Sequence, residues 1–133
     1  MTYQEIKHEE GERVGELSTR VGLFWAFSNE QFEKNKTPLQ EGDKYVSIGA
    51  GGFVPRSQVD TFIQGMKDIE TWKKEEVKKN KAEQERTILY ELNNYECFYT
   101  GDIEPALEVL KPLGFTRKQV QTVYRANVNK MEA

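Results

Sequence analysis

Residues 45–72 read YVSIGAGGFVPRSQVDTFIQGMKDIETW, and this stretch decides the fold. A short apolar run, Tyr45, Val46 and Ile48, ends in Gly49-Ala50-Gly51-Gly52. Three glycines within four residues let the backbone turn where a Cβ would clash. Phe53, Val54 and Pro55 follow, and Ser57 then offers a hydroxyl to the free N–H groups of a first helical turn. Beyond it Val59, Phe62, Ile63, Met66 and Ile69 fall at i, i+3, i+4, i+7 and i+10, one apolar stripe at helical period. The stretch predicts a strand, a glycine turn and a long helix.

Working outward towards the N-terminus, Glu41-Gly42-Asp43 makes a turn into this strand, set at Lys44–Gly49, and Phe53–Val54 can pair with it. The run TRVGLFWAF, residues 19–27, has the length and aromatic content of a buried strand. Ser28 heads a Ser-x-x-Gln capping box, so a short helix opens there with Phe32 inward, and Pro38 forbids its continuation. Residues 1–16 mix acids with Gly11 and Gly15, and Tyr3, Ile6 and Val14 are too sparse for a stripe. They read as a frayed tail or a short helix.

Towards the C-terminus, residues 73–86 read KKEEVKKNKAEQER, with only Val77 and Ala82 apolar, and predict an exposed charged helix. Hydrophobic positions return at Ile88, Leu89, Leu92 and Tyr95, so the pattern fits one very long helix or two helices joined by a polar elbow near Asn80. Asp102 is placed to cap IEPALEVL, which presents Ile103, Leu107 and Leu110 and stops at Pro112 and Gly114. Thr116-Arg117-Lys118-Gln119 is a second capping box, opening a last helix with Val120, Val123 and Tyr124 inward and Val128 and Met131 extending that face. The fold class is α+β: a sheet of two or three strands against a long helix, followed by a C-terminal helical hairpin.

With 133 residues the chain reads as one domain, and its net charge of −3 does not mark a dedicated nucleic-acid binder. The charge is unevenly spread, at −4 over residues 1–43, +2 over 44–86 and −1 over 87–133. A single cysteine, Cys97, suits a reducing, cytoplasmic compartment. The acidic N-terminus lacks the apolar core of a signal peptide, and no apolar run approaches membrane-spanning length.

Four constellations could carry chemistry. Gly49, Gly51, Gly52 and Arg56 form a candidate anion-binding turn, since glycine turns before helices cradle phosphates. The pattern is nevertheless neither G-x-G-x-x-G nor a P-loop, and a structural turn or bulge is the competing reading. The segment YELNNYECFYTGD, residues 90–102, concentrates Glu91, Asn94, Glu96 and Asp102 with three tyrosines, a surface able to hydrogen-bond a partner. Lys73, Lys74, Lys78, Lys79 and Lys81 form a basic run, interleaved with acids that weaken phosphate tracking. Cys97 could find an imidazole only in the remote His8, so neither a catalytic set nor a metal site nor a cofactor is expected.

Three blocks, WAFSNEQF (Trp25–Phe32), EGDKYVSIGAGGF (Glu41–Phe53) and YELNNYECFYTGD (Tyr90–Asp102), resemble small proteins of bacteriophages and mobile elements of gut bacteria, a group without an assigned activity. The resemblance implies an accessory protein working in the cytoplasm of a bacterial host. The expected function is non-enzymatic binding of a host macromolecule, a host protein first, through the lysine run or the 90–102 surface. An inhibitor of host defence, such as an anti-CRISPR, is its sharpest form. A nucleic-acid accessory protein is the alternative, and an enzyme or nucleotide- or metal-binding module at the glycine turn the third. No membrane partner is expected, and oligomeric state is left open.

Overall fold

The computed structural model describes residues 1–132, with side chains to residue 130. The fold is α+β, in the order α1 (Tyr3–Val21), β1 (Phe24–Trp25), α2 (Asn29–Asn35), β2 (Tyr45–Gly49), β3 (Gly52–Pro55), α3 (Val59–Lys79), α4 (Gln84–Asn94), α5 (Cys97–Thr100), α6 (Glu104–Leu110) and α7 (Arg117–Glu132). The chain divides into two compact units, Glu9–Glu70 on one hand and Met1–His8 with Thr71–Ala133 on the other.

The unit Glu9–Glu70 is built on the hairpin. Its three strands lie in the order β1-β3-β2, all antiparallel, with Phe24 opposite Phe53 and Val46 opposite Val54. Ala50 and Gly51 both take positive φ, 51° and 83°, the handedness that matches a two-residue hairpin turn to the strand twist. A bulge between Ser47 and Gly49 completes the turn. One group of aromatic side chains, Phe24, Phe32, Tyr45 and Phe53, meets with centroids 5.2–5.5 Å apart. Val54 is buried with Leu17 and Val21 of α1, and Val59, Phe62 and Ile69 of α3 pack on that cluster.

Several expectations are corrected here. Residues 1–16 are neither frayed nor short-helical: α1 runs from Tyr3 to Val21, with Tyr3, Ile6, Leu17 and Val21 all buried. The strand expected over residues 19–27 shrinks to Phe24–Trp25, because Thr19–Val21 complete the helical spacing begun at Leu17. Ser57 does not cap α3. It lies in a 3₁₀ turn, and its hydroxyl donates to Asp43 Oδ2 at 2.6 Å. The α3 stripe is narrower than expected, since Ile63 and Met66 are exposed.

Ser28 does cap α2, its Oγ accepting from Gln31 N at 3.1 Å. The Gln31 side chain returns to the N–H of Phe27, one residue earlier than a capping box places it.

In the other unit, α3 ends at Lys79, and a 3₁₀ turn over Lys81–Glu83 leads into α4, so the elbow at Asn80 is real. Tyr3, Ile6, Val77, Ile88, Leu92 and Cys97 share one core with α6 and the residues leading to α7. Leu92, Leu107 and Leu110 are fully buried, each stabilising by about 1.5–3 kcal/mol relative to exposure. The α7 capping box forms as read: Gln119 N donates to Thr116 Oγ1 at 3.2 Å and Thr116 N to Gln119 Oε1 at 2.8 Å. Val120 is buried and Val123 and Tyr124 pack beside it, whereas the Met131 side chain lies outside the described residues.

Candidate interaction site

The segment 90–102 folds into a knuckle between α4 and α6. Alternation of burial along it follows from its backbone. α4 closes when Tyr95 N donates to Glu91 O and Glu96 N to Asn93 O. Glu96 then enters the left-handed region at φ 54°, ψ 33°, a conformation that costs a non-glycine residue about 1–2 kcal/mol. This reversal turns Cys97 inward to 0% exposure and leaves Tyr99, two residues further on, 91% exposed. The single turn α5 is closed by Tyr99 N and Thr100 N on Glu96 O and by Gly101 N on Cys97 O. Phe98 anchors it from below, stacked on Tyr124 at 5.2 Å and 10°.

The N-cap of α6 is Ile103, and Asp102, expected there, stands one residue earlier with its Oδ1 accepting from Glu104 N at 3.0 Å. Burial pushes the Cys97 thiol above its ordinary pKa, which keeps it protonated and unreactive near neutrality. Tyr95, Glu96, Tyr99 and Asp102 are all exposed, so the knuckle presents tyrosines and carboxylates together.

Glu91 belongs elsewhere and is corrected: it is 0% exposed and takes no part in a surface. Its Oε2 accepts from Tyr3 Oη at 3.0 Å, its Oε1 from Asn94 Nδ2 at 3.2 Å, and Lys7 Nζ lies 3.6 Å away. Lys7 Nζ also sits 5.2 Å from the Tyr90 ring centroid. Removing one partner of such a buried carboxylate is costly, because it leaves the other desolvated and uncompensated. Asn94 is exposed at its rim.

The lysine run does not present one face. Lys73 and Lys74 are half-buried, and Lys73 Nζ lies 5.8 Å from the Tyr3 ring centroid. Lys78, Lys79 and Lys81 are exposed, but Lys79 is paired with Glu76 at 3.2 Å, and Val77 beside them is buried. The freely projecting charged helix of residues 73–86 is therefore corrected to a half-packed one.

The glycine turn is a β-hairpin, not a strand-to-helix phosphate cradle. A Cβ on Gly51 would lie 2.3 Å from Phe27 Cε1, and one on Gly52 2.9 Å from Trp25 Cζ3, so aromatic rings occupy the space over these residues. Arg56 follows the opposite end of β3 from the turn, about 13 Å along the strand, so it does not converge with Gly49, Gly51 and Gly52 on an anion. Among the described residues no group of three metal-ligating side chains converges, and no helix is long and apolar enough to cross a membrane.

Sequence reasoning missed two features. Tyr3 is hard to see as a core residue because the stripe it begins is completed only by Leu17 and Val21, beyond the acidic stretch of residues 1–16. The exposed rings of Trp25 and Phe27 are hidden in the run over residues 19–27, because Phe24, Trp25, Ala26 and Phe27 are all apolar and no alternation marks which of them face outward.

Fold and site together define a small α+β protein with an exposed cluster of tyrosines and carboxylates. The chain belongs to a family of unknown function, DUF7659, whose model matches residues 2–130. No curated protein and no solved structure matches it.

Proposed function

We propose that this is a non-enzymatic accessory protein, of phage or mobile-element origin, that binds a host protein through the 95–102 knuckle. One observation supports the reading above others: Tyr99 is held 91% exposed by a left-handed Glu96 rather than by a glycine. Strained backbone of this kind persists where the surrounding structure over-determines it, and such sites cluster at functional surfaces. Tyrosine supplies large contact area at low entropic cost, and interface hot spots are enriched in it. Glu96 and Asp102 flank it, favouring a basic patch on the partner. The likeness of the three sequence blocks to phage proteins supports a host setting, and inhibition of a host defence system is the most specific form of the proposal.

The test is affinity capture from bacterial lysate with wild type, Tyr99→Ala and a Lys78/Lys79/Lys81→Glu triple variant. The reading expects a partner that is lost with Tyr99→Ala and kept with the triple variant. Equal capture by wild type and Tyr99→Ala, or loss confined to the lysine variant, contradicts it.

A further inference from the structure

The unit Glu9–Glu70 leaves one face of α3 uncovered. Gly65 decides which face: a Cβ there would lie 2.6 Å from Leu17 Cδ1, so α1 packs closely on that side of the helix. At about 100° per residue, Met66 and Ile63 stand about 100° and 160° round from Gly65 in the same direction. They are 37% and 46% exposed. Both line one open groove of about 440 Å³, together with Phe62 and Ile69 of α3 and Val14 of α1. Contiguous apolar surface of this kind marks an interaction site.

The charges beside the groove are of both signs. Glu10, Lys67 and Glu70 line it, and Asp60 lies two turns before Lys67 on the same side of the helix. Glu10 and Glu70 already interact within the chain, whereas Asp60 and Lys67 have no ion-pair partner among the described residues. One free acid and one free base therefore flank the apolar pair. The midpoint of positions 60 and 67 falls within one residue, about 1.5 Å of rise, of the midpoint of 63 and 66. A surface so arranged is complementary to itself turned end over end. A phosphate strand or a uniformly charged helix would match one of the two charges and repel the other. We propose that two copies of this chain pair antiparallel through α3, about a two-fold axis that sets Ile63 of each against Met66 of the other and Asp60 of each against Lys67 of the other. The contact spans about two helical turns, well short of a standard interface, so the dimer is weak and concentration-dependent. This surface is separate from the knuckle, and its test does not depend on the knuckle's role.

The test is sedimentation velocity of the full chain at low salt, from about 1 µM to about 500 µM. Wild type is expected to pass from monomer to dimer over that range. Ile63→Gln, which removes an apolar contact made twice, should weaken the dimer about tenfold. Asp60→Lys and Lys67→Glu each place like charges across the axis twice and should each weaken it about five- to tenfold. An equimolar mixture of those two variants restores both opposite-charge pairs, so it should associate like wild type although neither variant does so alone. Circular dichroism checks that every variant folds, as the exposure of all three positions predicts. A wild-type chain that stays monomeric throughout overturns the proposal, and so does a dimer that Ile63→Gln leaves intact. Charge variants that pair like wild type, or a mixture no better than its components, overturn the antiparallel register. Monomeric protein that sediments with phosphatidylglycerol vesicles and loses this with Ile63→Gln would give the face to a membrane surface instead.

Discussion

Replacing Tyr3 by Phe removes one oxygen and little else. The ring stays in place, edge-on to Tyr90 at 5.4 Å and beneath Lys7 at 5.8 Å, so packing is retained. What goes is the hydroxyl that donates to Glu91 Oε2 at 3.0 Å, on a residue with no exposed surface. Hydrogen bonds to charged groups contribute about 1.5–3 kcal/mol, and the full value applies where no water replaces the donor. For a chain of this length, between the two sizes for which the scaling is known, 1 kcal/mol moves the unfolding midpoint by roughly 3–5 °C. Tyr3→Phe should therefore lower the midpoint by roughly 5–15 °C. Glu91→Ala goes further. It leaves the Tyr3 hydroxyl and the Lys7 ammonium, whose side chain is only 30% exposed, without their shared acceptor, and should cost about 3–5 kcal/mol. The assay is thermal and urea unfolding followed by circular dichroism, with the double variant closing the cycle. The two losses should be strongly non-additive, with a coupling above about 1 kcal/mol. If Tyr3→Phe unfolds within about 0.5 kcal/mol of wild type, the range of an ordinary surface change, the Glu91 cluster is not what holds the first turn of α1 in its core.

Other consequences are quickly checked. Glu96→Gly relieves the left-handed glutamate at the cost of a looser unfolded chain, so it should raise stability by about 0.5–1 kcal/mol; a lowered melting midpoint would refute the strain. Gly51→Ala meets both a positive φ of 83° and the Phe27 ring, and should destabilise the protein by at least about 1 kcal/mol; a melting midpoint equal to that of wild type would refute it. The Ser57 hydroxyl, chiefly, and the Lys44 N–H hold the Asp43 carboxyl below its ordinary pKa. Because the folded value is the lower one, this contribution is present above the unfolded pKa and disappears as pH falls through the folded one. Ser57→Ala should therefore lose stability at neutral pH and show a shallower decline in acid, and parallel pH profiles would contradict it.

The sequence marks a turn at Gly49-Ala50-Gly51-Gly52, but that Phe53–Val54 pairs back on the strand before it is decided by the positive φ of Ala50 and Gly51, which the glycines permit without requiring. Both Ser-x-x-Gln and Thr-x-x-Gln capping motifs are visible because the partner hydrogen bonds are local, three residues apart. Ser57 misleads because its hydroxyl prefers Asp43, fourteen residues upstream, which no local pattern shows. Glu91 misleads in the same way. A glutamate among asparagines and tyrosines reads as surface until Tyr3 and Lys7, more than eighty residues distant, arrive to bury it. The basic run at 73–81 looks solvated throughout because Val77 is one residue among charges, yet that residue and the Lys73 ammonium beside the Tyr3 ring tie the helix down. The 90–102 segment was legible as a surface, but which of its polar groups face outward depends on the backbone reversal at Glu96, and glutamate gives no hint of positive φ.

The most direct measurement of the central claim is the dissociation constant of the captured host protein for wild type and Tyr99→Ala, taken side by side. A hot-spot tyrosine predicts a loss of at least about thirtyfold, the equivalent of about 2 kcal/mol, with an unchanged melting midpoint. Equal affinity of the two proteins would contradict the knuckle as the binding surface.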